Sequence, residues 1–79
     1  MTLIEAKRGE RVTVASIALS EETRGRLYAF GILPGVALDV IDPSLHGAAL
    51  VSCRGNRLAL GSELAEGIHL CGAKPLDVR

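Results

Sequence analysis

Apolar and polar residues alternate along this chain in short runs separated by turn-forming residues. In Arg11-Val12-Thr13-Val14-Ala15-Ser16-Ile17, Val12 and Val14 share one face at period two, with Arg11 and Thr13 opposite, which predicts a first strand. The alternation weakens at Ala15 and Ser16, where a bend or bulge is expected. Ala37 to Ile41 reads as a second strand with Leu38 and Val40 on one face. Asp42-Pro43-Ser44 is expected to break it, with a loop through Leu45-His46-Gly47. Leu50-Val51-Ser52-Cys53-Arg54 predicts a third strand, and Gly55-Asn56 is a two-residue hairpin signal. Arg57-Leu58-Ala59-Leu60 then returns antiparallel with Leu58 and Leu60 inward. Ile68-His69-Leu70 reads as a short last strand and Gly72 to Arg79 as a tail, which places one domain at residues 1–71 and the tail at 72–79.

Between the first two strands the period changes. Ser20 can cap a free backbone N–H, Glu21 and Glu22 suit the positive end of a helix dipole, and Glu22 and Arg26 stand at i and i+4. Leu27 and Phe30 form a minimal inward stripe, and Gly31 supplies a left-handed stop. The helix is therefore placed at about Glu21 to Phe30. Gly25 inside it costs about 1 kcal/mol relative to alanine and suggests the close approach of another backbone. Leu33-Pro34-Gly35-Val36 has the chemistry of a type II turn. Gly61 to Gly67 predicts one capped helical turn before the last strand. Five short strands with one helix between the first two give a mainly β chain, a small and strongly bent barrel. The expected core is Val12, Val14, Leu27, Phe30, Leu38, Val40, Val51, Leu58, Leu60 and Ile68.

Composition narrows the function classes. The chain has 79 residues, enough for one domain, and 48% of them are hydrophobic, with Tyr28 and Phe30 the aromatic residues. Nine basic side chains balance nine acidic ones. That neutrality argues against a nucleic-acid binder, whose affinity comes largely from neutralised phosphates, and favours weak homo-oligomerisation. No apolar run approaches the roughly 18 residues of a membrane span, and the start turns charged too early for a signal peptide, so a cytoplasmic protein is expected. Cys53 and Cys71 are too few for a disulfide scaffold and read as free thiols.

Two blocks of residues carry a family resemblance. Arg24-Gly25-Arg26-Leu27-Tyr28-Ala29-Phe30-Gly31-Ile32-Leu33-Pro34-Gly35 resembles the signature of ferrous iron transport protein A, the FeoA family: a basic helix start, an R-L pair, then G-[IL]-x-P-G. Gly55 to Ile68 resembles the family's second block, G-x-R-[LI]-A-L followed by an alanine-bearing turn. The likeness spans roughly residues 3 to 70. Two positions depart from it: Gly47-Ala48-Ala49 stands where many members carry Gly-Asp-Pro, and Cys53 where an aliphatic residue is usual. The resemblance implies an SH3-like fold and an accessory role beside FeoB, a membrane transporter of ferrous iron with a cytosolic GTP-binding domain. It also implies a location peripheral to the inner membrane through that partner.

The chain's own chemistry is sparse. No glycine-rich phosphate loop and no nucleophile elbow is present, so no enzymatic activity and no cofactor are expected. His69 and Cys71, at i and i+2 on a strand, would share a face, and Asp77 could approach only by folding back; two donors fall short of the three or four of a metal site. Cys53 reads as a small core residue and His46 as a loop residue. Arg24 and Tyr28, at i and i+4, share a helix face distinct from Leu27 and Phe30, and with Arg26 they are the first candidates for partner contact. An apolar patch beside the His46 loop is the rival surface. Three functional classes stand: a protein-binding regulator of the transporter, a sensory module akin to the C-terminal SH3-like domain of metal-dependent repressors, and a nucleic-acid-binding small barrel, against which the neutral charge and the scarcity of aromatic stacking residues argue. Against the second, the chain has no helix-turn-helix and no acidic metal cluster.

Overall fold

The bend expected at Ala15 and Ser16 shapes the first strand. In β1 (Glu10–Ile17) Val12 and Val14 point inward, Ala15 and Ser16 are both exposed, and Ile17 is buried again. The pairing with the last strand shifts register twice, skipping Cys71 on that strand and Ala15 on β1, and the extra Ala15 returns Ile17 to the core side. The computed structural model describes residues 1–75. Four further strands follow: β2 (Ala37–Leu45), β3 (Ala48–Cys53), β4 (Asn56–Gly61) and β5 (Ile68–Pro75). All pairings are antiparallel and the order is β4-β3-β2-β1-β5. Helix α1 (Glu21–Ala29) lies in the β1–β2 connection, and α2 (Ser62–Gly67) leads from the end of β4 to the start of β5. The two edge strands are thus joined by a helix instead of a ladder. A 3-10 turn at Leu3–Glu5, which the sequence pattern did not suggest, packs beside α2 and sends Leu3 into the core.

Left-handed residues set the turns. Arg54 and Gly55 both have positive φ, and Cys53 pairs with Asn56, so the β3–β4 turn is Arg54-Gly55 and not Gly55-Asn56. Two positive-φ central residues match the right-handed twist of a tight hairpin. His46 and Gly47 repeat that geometry between Leu45 and Ala48. The expected loop there is a second tight hairpin, and β2 runs on to Leu45 instead of ending at Ile41. Pro43 is tolerated because it sits in an irregular stretch between the Asp42 and Leu45 pairings, beyond the pairing with β1, and the Asp42 carboxylate accepts from the Ser44 amide at 3.0 Å. Gly35 has φ of 92° and the Val36 amide donates to the Leu33 carbonyl at 3.1 Å, as a type II turn requires.

A single core takes residues from every strand, together with Leu3, Leu27 of α1 and Ala65 of α2. Burying each large aliphatic side chain contributes about 1.5 to 3 kcal/mol. Val12, Val14, Leu27, Leu38, Val40, Val51, Leu60 and Ile68 occupy it as expected. Phe30 does not; its side chain is 58% exposed. Helix α1 ends in a left-handed reversal in which the Gly31 amide donates to the Tyr28 carbonyl at 2.9 Å and the Ile32 amide to Leu27 at 2.9 Å. That 6→1 bond folds the chain back and puts Ile32, fully buried, in the place expected for Phe30. Leu58 is half-buried because β4 is an edge strand with no neighbour beyond it. β5 is longer than expected: Gly72 to Pro75 pair with Thr13 to Glu10. The rest of the expected tail, with Asp77, lies outside the described residues.

Candidate partner-binding groove

Helix α1 enters the core through one side chain, Leu27. Ser20 caps its start, its Oγ accepting from the Thr23 amide at 3.2 Å. From there, 100° per residue places Thr23, Arg26, Leu27 and Phe30 on one side and Arg24 and Tyr28 on another. The first side faces β4 across an open groove of about 350 Å³, whose far wall is Leu58, Ala59 and Leu60 with Leu64 of α2 at the end. The volume is in the usual range for pockets that hold a small ligand or a few side chains, about 300 to 1,000 Å³. Phe30, placed in the core by its spacing from Leu27, is instead an exposed wall of this groove. The groove was hidden from the sequence for that reason. The signal that could have revealed it is the Gly31-Ile32 pair, since the apolar residue after a left-handed helix stop packs back against the last turn.

Charge is distributed unevenly around the groove. Among the described residues Arg26 is the one charged side chain lining it, and its guanidinium is 3.8 Å from the Glu22 carboxylate in an exposed i,i+4 pair. Asp39 and Asp42 are engaged elsewhere. The Arg11 guanidinium donates to both Asp39 carboxylate oxygens, at 2.7 and 3.3 Å, and the hydrogen bond and charge of Asp39 raise the arginine's pKa. Arg8 meets Asp42 at 3.0 Å. Among the described residues Arg24, Arg54 and Arg57 join no ion pair. The groove and the β4 edge are therefore apolar with a basic rim.

The other candidates are dispersed. Tyr28 is 42% exposed and Arg24 half-buried, on a helix face turned away from the groove. His46 is exposed at the tip of the β2–β3 hairpin, near a smaller cavity of about 100 Å³ lined by Ile4, Pro43, Ala48 and Ala65 among others. His69 is half-buried on β5 and Cys71 exposed two residues on. Among the described residues no three His, Cys, Asp or Glu side chains gather to hold a metal ion. Glu5 is the acid whose charge reaches His69. Its carboxylate accepts from the Thr2 amide at 2.8 Å, and that bond, with smaller help from the N-terminal ammonium and His69, lowers its pKa. Cys53 is buried, its thiol 3.7 Å from the Gly31 carbonyl, so its place in the core is as expected. No helix among the described residues is long and apolar enough to cross a membrane.

The fold and groove define an SH3-like domain, a class whose five-stranded sheet leaves loops and edges open for contact. The crystal structure of an FeoA from Stenotrophomonas maltophilia, solved with zinc and described as an SH3 domain protein, is similar at a TM-score of 0.81 with 22% identity over 95% of this chain and 96% of that one. The FeoA solution structure from Chlorobium tepidum is 35% identical, with a TM-score of 0.80, over 89% of this chain and 68% of the other. A manganese-dependent transcriptional repressor shares the fold at a TM-score of 0.77 and 24% identity, but the match covers 39% of its length. No curated protein sequence matches the chain. The FeoA domain model matches residues 1–70, and the protein belongs to the FeoA family of ferrous iron transport.

Proposed function

We propose that this protein is an accessory of ferrous iron uptake that docks on the cytosolic part of a FeoB-type transporter and performs no chemistry of its own. The observation that carries this reading is the open apolar groove between α1 and β4, in a chain of the FeoA family. Exposed apolar surface is costly unless something covers it, and Phe30 is held in the open by the same helix stop that buries Ile32. Arg26 forms part of the contact from the groove wall, and Arg24 and Tyr28 extend it along the next helix face. The His46 hairpin lies outside that surface.

Deletion of the gene tests the reading. Ferrous uptake under iron limitation is expected to fall and to return with the wild-type copy, and the purified protein should be retained by the transporter's cytosolic domain. Unchanged uptake after deletion would overturn it.

A further inference from the structure

The groove is bounded on one side by something more specific than apolar side chains, the free edge of β4. A two-residue hairpin starts with a hydrogen-bonded pair, here Cys53 with Asn56. Pairs then alternate, so Val51 with Leu58 and Ala49 with Leu60 exchange backbone bonds, while the N–H and C=O groups of Arg57 and Ala59 point away from β3. Among the described residues no other backbone donates to or accepts from them. The other edge is treated differently. The Leu70 amide of β5 donates to the Met1 carbonyl at 2.7 Å, and Thr2 bridges to His69. The chain covers the start of β5 with its own N-terminus and leaves β4 open.

An open edge of the form Arg-Leu-Ala-Leu, without proline, lysine or a bulge, is a template for strand pairing. A strand added there would lie about 4.8 Å from β4. Side chains on its groove face would meet Leu58, Leu60, Leu64 and Phe30. Those on its other face would stand beside Arg57, and its end would pass Arg26. Arg57 joins no ion pair, Arg26 shares its charge with the exposed Glu22, and among the described residues no acidic side chain lines the groove. We infer that β4 accepts a sixth strand from a partner protein: an extended segment with apolar side chains at alternate positions and carboxylates between them. The inference rests on the docking reading above for the kind of partner, and it specifies how that partner is held.

A blocked heptapeptide of alternating aspartate and leucine is the probe, with a lysine-for-aspartate version as control. Titration followed by NMR should shift the amides of Arg57, Ala59 and Leu60 and slow exchange of the Arg57 and Ala59 protons. The lysine peptide should bind at least about tenfold more weakly. Two further peptides carry N-methyl groups, one on every aspartate and one on every leucine. Alternate residues of a strand point their N–H groups to opposite sides, so one of these peptides loses its donors to β4 and the other does not. The loss should be about tenfold or more and confined to one peptide, and which one reports whether the strands run antiparallel or parallel. Equal effects of the two methylations, shifts confined to the Arg24 and Tyr28 face or to β5, or no shift at millimolar peptide would each overturn the proposal. The same shifts arising from protein concentration alone would overturn it in favour of a second copy of this chain. Phe30→Glu should abolish peptide binding with the exchange pattern of the core unchanged. The peptide assay does not involve the transporter. Lost uptake on deletion without peptide binding would sink strand addition alone, and peptide binding with normal uptake would sink the transporter reading alone.

Discussion

Gly67, the last residue of α2, lies so close to the Leu19 side chain that a methyl group on its Cα would overlap the leucine. Leu19 belongs to the segment between β1 and α1, and the Ala18 amide donates to the Gly67 carbonyl, so this contact ties the end of α2 to the end of β1. Gly67→Ala is expected to destabilise by about 1 to 3 kcal/mol, the range for overpacking a buried site. Gly25 is the opposite case. Nothing lies within 4 Å of a Cβ built there and its φ is not left-handed. The close backbone approach its position suggested does not occur among the described residues. Gly25→Ala should therefore stabilise by about 0.5 to 1 kcal/mol. Urea denaturation of both variants checks the pair, and the same sign for both would contradict the packing described.

Leu60 and Phe30 separate stability from surface. Leu60 is 5% exposed and Phe30 58%. Leu60→Ala should cost about 2 to 5 kcal/mol, as deletion of a buried leucine side chain does. Phe30→Ala should stay within about 0.5 kcal/mol of the parent. A large loss for Phe30→Ala would mean that the side chain is packed in the folded protein.

The acid limb of the stability curve should carry the signature of Glu5. Its carboxyl pKa is lowered below the ordinary 4.5 because the folded chain presents the Thr2 amide to the charged form. A depressed carboxylate contributes stability above its unfolded value and loses it as pH falls through the lowered, folded value. The contribution is thus complete at neutral pH, begins to decline near the ordinary 4.5 and is gone once the pH is below the lowered folded value. Glu5→Gln should lower the melting temperature at neutral pH and leave it nearly unchanged in strong acid. An equal loss at both ends of the range would show that the charge is not what holds the N-terminal turn.

The metal question has a direct measurement. His69 and Cys71 supply two donors, and among the described residues no third gathers beside them. Calorimetry with ferrous iron under reducing conditions should give no tight one-to-one isotherm. A tight isotherm that disappears in a His69→Ala, Cys71→Ala double variant would reverse this expectation.

Much of the fold was legible because its signals are local. Period-two runs placed β1 to β4, Ser20 and Gly31 bounded α1, and the fading alternation at Ala15 and Ser16 marked a real bulge. Two of the misses share a cause, which is that two neighbouring residues compete for one role. Phe30 and Ile32 both follow Leu27, and the hydrogen bonds of the reversal, not hydrophobicity, decide which is buried. Arg54-Gly55 and Gly55-Asn56 are both turn pairs, and register with β3 selects the first. Pro43 broke the pattern of β2 without breaking the strand, because that stretch lies beyond its pairing with β1. The groove depended on the outcome of the first competition, so the helix face chosen from sequence, Arg24 with Tyr28, was the one turned away from it.

The two faces of α1 can be weighed against each other in cells. Arg24 and Tyr28 offer hydrogen bonds and area on the outer helix face, where Tyr28 is 42% exposed and water competes for each contact. Phe30 offers its ring at the mouth of a concave one, where Leu58, Leu60 and Leu64 would complete its burial against a partner. Burial of apolar area contributes about 25 cal/mol per Å², and hot spots concentrate in pockets from which water is excluded. Ferrous uptake should therefore fall close to the deletion level in a Phe30→Glu strain. The Arg24→Ala, Tyr28→Ala double variant should show a smaller loss. Both proteins should melt near the wild type, because none of the three side chains lies in the core. If the double variant fails to support uptake while Phe30→Glu supports it fully, the contact lies on the outer face of α1 and the groove is not where the partner docks.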